Sequence, residues 1–146
     1  MPIVRVETLI DASPTVCFDL ARDVDVHVQT TGRSGERAVA GVTSGKMGLG
    51  DSVTFEAKHL GFRWRLTSKI VLYEFPTLFV DEMVKGPFKR MRHEHRFEAA
   101  QSGTLMVDTL DFQSPVGLLV LGRYMELFLV ERGVALKRMA ETRLTP

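Results

Sequence analysis

The side chains of this sequence best suited to moving or sharing a proton are His93, His95 and Asp108, with Asp81 upstream of them. Successive side chains of a strand point to opposite faces. Counting in twos therefore puts Met91, His93, His95 and Phe97 on one face, and Arg90, Arg92, Glu94 and Arg96 on the other. The first face, apolar at both ends, is predicted to look inward. In the next extended run Met106, Asp108, Leu110 and Phe112 share a parity, so an otherwise apolar interior carries histidines and at least one carboxylate. If a hairpin loop falls around residues 99–103 with Phe97 opposite Met106, His95 stands opposite Asp108, with Cβ atoms within ~5.5 Å. Asp81 joins from a neighbouring strand by its parity with Phe79 and Met83. A slip of one residue would turn the set to the other face.

Several uses fit these groups. His95 and Asp108 can satisfy each other because buried polar groups must be paired, leaving His93 in the interior without a chemical role. One or both histidines can instead hydrogen-bond the polar end of an apolar ligand. In a catalytic version Asp108 orients His95 and stabilises its charged form for proton exchange near neutral pH, which makes His95 and Asp108 the candidate catalytic residues. For a metal, His93 and His95 lie about 6.6 Å apart along the strand and could converge on one ion with an aspartate as third ligand. No further cysteine or histidine cluster accompanies them, and neither a metal nor another cofactor is expected.

The elements that must position these residues follow from local pattern. Residues 3–11 alternate and are rich in β-branched types, a first strand. Ser13-Pro14 starts a short helix, with the serine as N-cap and the proline where no donor is needed. A second short helix is predicted over residues 23–28, before small and polar residues at 30–35 break the pattern. Strands follow at 37–43, 51–60, 62–73 and 78–84, then the hairpin. Within them Val53, Phe55, Ala57 and His59 share a face, as do Phe62, Trp64, Leu66 and Ile70. The glycine-rich segment 44–51 lacks the Gly-Lys-Ser/Thr ending of a phosphate loop and reads as a hairpin turn. Ser114-Pro115 repeats the helix-start chemistry ahead of a long helix to about Arg143. Nearly apolar around its first half, that helix must lie across the concave side of the sheet, giving an α+β fold.

With 146 residues the chain is expected to form one domain, 1–146, large enough to enclose a cavity within its core. Nineteen Lys and Arg against eighteen Asp and Glu give no field for nucleic acid or an anionic membrane. The arginines Arg63, Arg65, Arg90, Arg92 and Arg96 have no aromatic residues interleaved on their face, so a nucleic-acid partner is not expected. The start has no basic segment followed by a long apolar run, and the cluster at 116–121 is far shorter than the ~20 residues of a membrane span. A cytoplasmic protein without stable membrane insertion is expected. The single cysteine, Cys17, excludes an internal disulfide and is read as a buried thiol. On the last helix Leu118, Leu121, Met125, Phe128 and Leu129 lie near one stripe, whereas Leu119, Val120, Leu127 and Val130 point elsewhere. That surplus suggests a homodimer surface ahead of a membrane-touching patch.

The strings Ile10-Asp11-Ala12-Ser13-Pro14 with Phe18, Phe79-Val80-Asp81-Glu82 with Gly86-Pro87-Phe88, His93-Glu94-His95-Arg96-Phe97, Gly103-Thr104-Leu105-Met106-Val107-Asp108 and Ser114-Pro115-Val116-Gly117 carry a resemblance across essentially the whole chain. The sequence resembles the helix-grip superfamily of START lipid-transfer domains, birch-pollen-allergen-like proteins and bacterial polyketide cyclase/dehydratase-like proteins. The resemblance implies a curved seven-stranded antiparallel sheet gripping the last helix around an apolar cavity. It implies a small hydrophobic molecule as partner, or in other members cyclisation or dehydration of a polyketide-like substrate, here with His95 and Asp108 as proton-transfer partners. A partner-binding regulator without a small ligand is the third use. Phe55, Trp64, Met83, Met91, Met106, Met125 and Phe128 suit an adaptable cavity wall, because methionine moulds to irregular apolar shapes, and equally suit a solid core. Asp81, His93, His95, Phe97, Asp108, Leu110, Phe112 and Leu121 complete the expected wall.

Overall fold

The computed structural model describes residues 3–31, 35–59, 61–114 and 118–143. The elements run β1 (Ile3–Ile10), α1 (Pro14–Ala21), α2 (Val24–Thr30), β2 (Arg37–Gly41), β3 (Ser52–His59), β4 (Phe62–Glu74), β5 (Leu78–Lys85), β6 (Arg90–Ala100), β7 (Gly103–Gln113) and α3 (Leu118–Arg143). All strands join one antiparallel sheet in the order β1-β7-β6-β5-β4-β3-β2. The chain thus meanders from β2 to β7, and only β1 stands beside a strand distant in sequence.

Local chemistry sets the ends of these elements. Ser13 Oγ accepts from the Val16 amide at 3.3 Å, and Pro14 occupies the first turn of α1. Asp23 caps α2 by accepting from the Asp25 and Val26 amides at 2.9 and 3.2 Å, and α2 continues to Thr30, two residues past the expected end. Asp25 in turn accepts from Ser44 Oγ and the Gly45 amide, tying α2 to the glycine-rich turn. β2 stops at Gly41 rather than 43. A Cβ at Gly41 would lie 2.3 Å from the Ser52 carbonyl, and its φ of 74° turns the chain out of the strand.

Two apolar clusters hold the layers together. In one, Phe18 of α1 is fully buried with the rings of Tyr73, Phe75, Phe79 and Phe97 at 5.0–5.4 Å. In the other, Val4, Val6, Leu110 and Phe112 from β1 and β7 pack against Leu129 of α3. Cys17 is buried, and burial pushes its thiol pKa up against a hydrogen bond with Thr104. On the outer face Glu56 gathers Arg37 and Arg65 at 2.9 Å, and Arg90 meets Asp111 at 2.8 Å, so these arginines are engaged with carboxylates.

At 26 residues, α3 is about 39 Å long and crosses the concave side of the sheet. Residues 115–117, on which the Ser114-Pro115 start was expected, lie outside the described residues, as do the side chains of Leu118 and Leu119. Among the rest of the helix Val120, Leu127, Val130 and Val134 are exposed. α3 passes close to β1 at Gly133, where an added Cβ would stand 2.7 Å from Thr8 Oγ1. Gly133→Ala is therefore expected to destabilise the protein by about 1–3 kcal/mol in urea unfolding. Adding Thr8→Ala to that variant should recover most of the loss, since it removes the atom the new methyl meets. An unchanged midpoint in the single variant would show that the contact is not tight.

Candidate functional site

A cavity of about 340 Å³ lies between the concave face of the sheet and α3. Its apolar wall comes from three directions: Phe55 and Trp64 from β3 and β4, Met91 and Leu110 from β6 and β7, and Leu121, Met125 and Phe128 from α3. Set into this wall on the sheet side are Ser68, Asp81, His93 and His95.

The register brings these four together. Phe97 pairs with Met106 and His95 with Asp108, as parity predicted, around a turn of Gln101 and Ser102. On the other side β5 places Phe79 opposite His95 and Asp81 opposite His93. The shortest bonds nevertheless run diagonally. His93 Nε2 donates to Asp108 Oδ1 at 2.8 Å and His95 Nε2 to Asp81 Oδ2 at 2.7 Å, while the directly opposed His95 Nδ1 and Asp108 Oδ1 are 3.4 Å apart. Ser68 Oγ donates to the other oxygen of Asp81 at 2.9 Å. The expected facing of His95 and Asp108 is present and Asp81 joins it, but the shortest bond to Asp108 comes from His93, and stacking supplies the reason. The His95 ring is sandwiched between Phe79 at 4.1 Å and His93 at 3.7 Å between centroids, which fixes its plane and directs its two nitrogens to two different carboxylates.

The network is largely buried. Asp108 and His95 are buried, while His93 retains 13% and Asp81 23% of side-chain exposure, on the cavity side. Burial would raise both aspartate pKa values, but the histidine hydrogen bonds and charges outweigh it. Asp81 is brought down to about 2, with help from Ser68, and Asp108 is held well below the usual carboxylate range. For His95, burial favours the neutral ring, yet the bonds and charges of Asp108 and Asp81 win and its pKa rises. For His93, burial together with the neighbouring His95 charge outweighs Asp108, and its pKa falls. At pH 6.5 the two directions favour an imidazolium at His95, between the carboxylates, with a neutral imidazole, His93, stacked on it. Since Nε2 of that neutral ring donates to Asp108, Nδ1 keeps its lone pair. Asp81, His93 and His95 each also offer one ligand atom within 4.8 Å of the others, a spacing that could hold a metal ion.

Of the residues expected in the wall, Phe55, Trp64, Asp81, Met91, His93, His95, Leu110, Leu121, Met125 and Phe128 border the cavity. Five do not. Phe97 and Met106 belong to the solid core around Phe18, Phe112 is fully buried between sheet and helix, and Asp108 sits behind the histidines. Met83 packs over Gly86, where an added Cβ would meet its sulfur at 2.7 Å. The strand period separates faces but not the filled end of a face from the hollow one, which is why these five were included. Ser68 was missed although it shares parity with Trp64 and Leu66. Arg132 was missed although it falls on the stripe of Met125, Leu129, Leu136 and Ala140. His27 and Glu36, joined at 3.0 Å, and Tyr124 also border the cavity and gave no periodic signal.

No curated protein matches the sequence. Among solved structures, one from Thermus thermophilus superposes with a TM-score of 0.82 at 18% identity, covering 99% of this chain and 100% of that one. The Zhui aromatase/cyclase of a Streptomyces species gives 0.76 at 18% identity over 97% and 96%. A START superfamily protein from Mycobacterium smegmatis gives 0.75 at 14% over 96% and 97%. The seven-stranded antiparallel sheet around a long C-terminal helix is thus the helix-grip fold of these neighbours. Residues 10–132 match the sequence profile of the polyketide cyclase/dehydrase and lipid transport family, and the chain belongs to that family.

Proposed function

We propose that the protein binds a small hydrophobic molecule, as carrier or sensor, in the cavity between the sheet and α3, with the histidine network meeting the molecule's polar end. One observation carries this reading. The cavity of about 340 Å³ is walled mainly by aromatic, leucine and methionine side chains, and its sheet side offers a single connected set of hydrogen-bonding groups. In such pockets apolar burial supplies affinity and the few polar groups fix orientation. His93 is the group through which the network meets the ligand: it lines the cavity, and its Nδ1 lone pair accepts from a hydroxyl.

A cyclase- or dehydratase-type reaction is the second reading, favoured by the stacked pair of unlike imidazoles. Neutral His93 is a base and charged His95 an acid, the two roles needed to take a proton beside a carbonyl and return one to a leaving hydroxyl. The Streptomyces neighbour named above is an aromatase/cyclase, and its identity of 18% transfers the fold alone.

Native mass spectrometry with parallel solvent extraction is expected to find an apolar compound retained by the purified protein. A protein that carries none, and that also fails to bind the neutral probe N-phenyl-1-naphthylamine saturably, would sink the binding reading. Met125→Trp, which fills the cavity from the helix side, should weaken probe binding by about tenfold or more, equivalent to ~1.4 kcal/mol, while leaving the circular dichroism spectrum intact.

Asp108→Asn keeps the side-chain shape but removes the charge that both imidazoles face. It should cost about 3–5 kcal/mol in denaturant unfolding at pH 7. The two imidazoles also predict a pH profile. Below the ordinary value of 6.5 the folded state binds fewer protons than the unfolded chain because His93 stays neutral, so stability rises with pH. Above 6.5 the folded state binds more, because His95 stays charged, so stability falls until pH passes the raised value. For this pair, stability peaks near 6.5, and His93→Gln should flatten the acid limb alone. Side-chain NMR that finds His95 neutral at pH 6.5 would refute the charge assignment.

A further inference from the structure

On the helix side of the cavity, across from the sheet that carries the histidine network, α3 holds a buried cation whose donors are only partly used. Arg132 of α3 is 4% exposed and forms part of the lining. Its Nη2 donates to the carbonyl of Ala21, the last residue of α1, at 3.3 Å, which takes up one of the carbonyls a helix end leaves unpaired. Its Nε is buried with no acceptor, and no carboxylate among the described residues forms an ion pair with it. The acids at this end of the cavity have other duties: Glu36 is engaged by His27 at 3.0 Å, and Asp23 caps α2.

Arginine is almost never buried unpaired, and a buried N–H without a partner is rare enough in folded proteins to call for a cause. Its bond to Ala21 explains where the side chain is held but leaves the Nε–H unused. A guanidinium presents a planar fork of donors that matches a carboxylate, and in a dry cavity such a charge-assisted contact is strong. We infer that Arg132 is the anion receptor of the ligand cavity, so that the bound molecule is an apolar carboxylic acid whose carboxylate accepts from this guanidinium. The inference rests on the apolar-ligand reading above, adds the ligand's charge, and seats that charged end at Arg132, which leaves the histidine network to meet a neutral polar group elsewhere on the molecule. The carboxylates of Asp81 and Asp108 repel an anionic head from the sheet-side pole. The head therefore lies at Arg132, and the tail runs along Phe55, Met91, Met125 and Phe128.

The test is calorimetric titration of the full chain with sodium octanoate and with 1-octanol at one pH and ionic strength. Octanoate is expected to bind about tenfold tighter or better, the size of a hydrogen-bonded charge. Arg132→Gln should bring octanoate down to the octanol affinity and leave octanol unchanged, and Arg132→Lys should restore part of the difference. A purely structural role, through Ala21, would weaken both ligands alike. Octanol bound as tightly as octanoate by the native protein overturns the anion receptor and leaves the apolar cavity standing. Binding of neither overturns both. Should Arg132→Gln fail to fold, the Nε–H resonance of Arg132 in the native protein decides: octanoate should shift it and slow its exchange, and an unmoved signal on saturation overturns the inference.

Discussion

The register of the β6–β7 hairpin decides what the cavity contains. With Gln101 and Ser102 as the turn, every second residue of β6 from Met91 to Phe97 looks inward, and so does every second residue of β7 from Met106 to Phe112. A shift of one would bury Arg92 and Glu94 and put both histidines in water. The hairpin is pinned at its turn end by contact with the start of the chain. A Cβ at Gly103 would lie 2.3 Å from the Ile10 carbonyl and 2.8 Å from the Ala12 amide, while Thr104 Oγ1 donates to the Ala12 carbonyl at 2.7 Å. The seam between β7 and the β1–α1 connection therefore fixes, some residues away, which side chains reach the ligand space.

Given that register, the polar network is tolerated because each buried charge has a counter-charge and a fixed geometry. Asp108 accepts from His93 and faces His95, Asp81 accepts from His95 and Ser68, and Phe79 stacks against the His95 ring. With His95 charged, two carboxylates and one imidazolium leave the cluster with one net negative charge. Deleting any member strands another, since a buried ion without its partner costs more than the pair contributes. Such a cluster specifies one arrangement of β5, β6 and β7 more than it adds to their stability.

Much of this was legible in the sequence. Strand parity located His93, His95 and Asp108 on one face, a loop assumed around 99–103 led to the Phe97–Met106 register that the hairpin has, and capping chemistry placed α1 at Ser13-Pro14. Two things were not. Parity says which face a side chain is on but not which neighbour its nitrogen chooses, and that choice was made by ring stacking between Phe79, His95 and His93. Nor does periodicity separate a filled interior from a hollow one. Phe97 and Met106 are packed by Phe18 arriving from α1, a contact between residues about eighty positions apart, whereas Met91 and Leu110 on the same strands face the cavity. Arg132 was hidden for a different reason. A charged residue on an apolar helix stripe reads as an interruption of the pattern until the position of α1 shows that its head remains inside.

The two polar ends of the cavity come from different layers, and that division has a consequence for selectivity. The sheet supplies a cluster of carboxylates and imidazoles held rigid by cross-strand bonds, and α3 supplies a guanidinium held, among the described residues, by the end of α1. A neutral apolar molecule meets both without preference and gains only burial. A molecule with a negative end is sorted by the field between them, attracted to the helix side and repelled from the sheet side, so a single orientation is favoured before any specific contact forms. In that orientation a polar group at the ligand's other end is presented to His93, the neutral imidazole of the network. A hydroxyl there would be held by the Nδ1 lone pair, and a proton on carbon beside a carbonyl would face a base backed by an acid. Binding and proton transfer thus differ here in the chemistry of the ligand's far end rather than in the architecture that holds it.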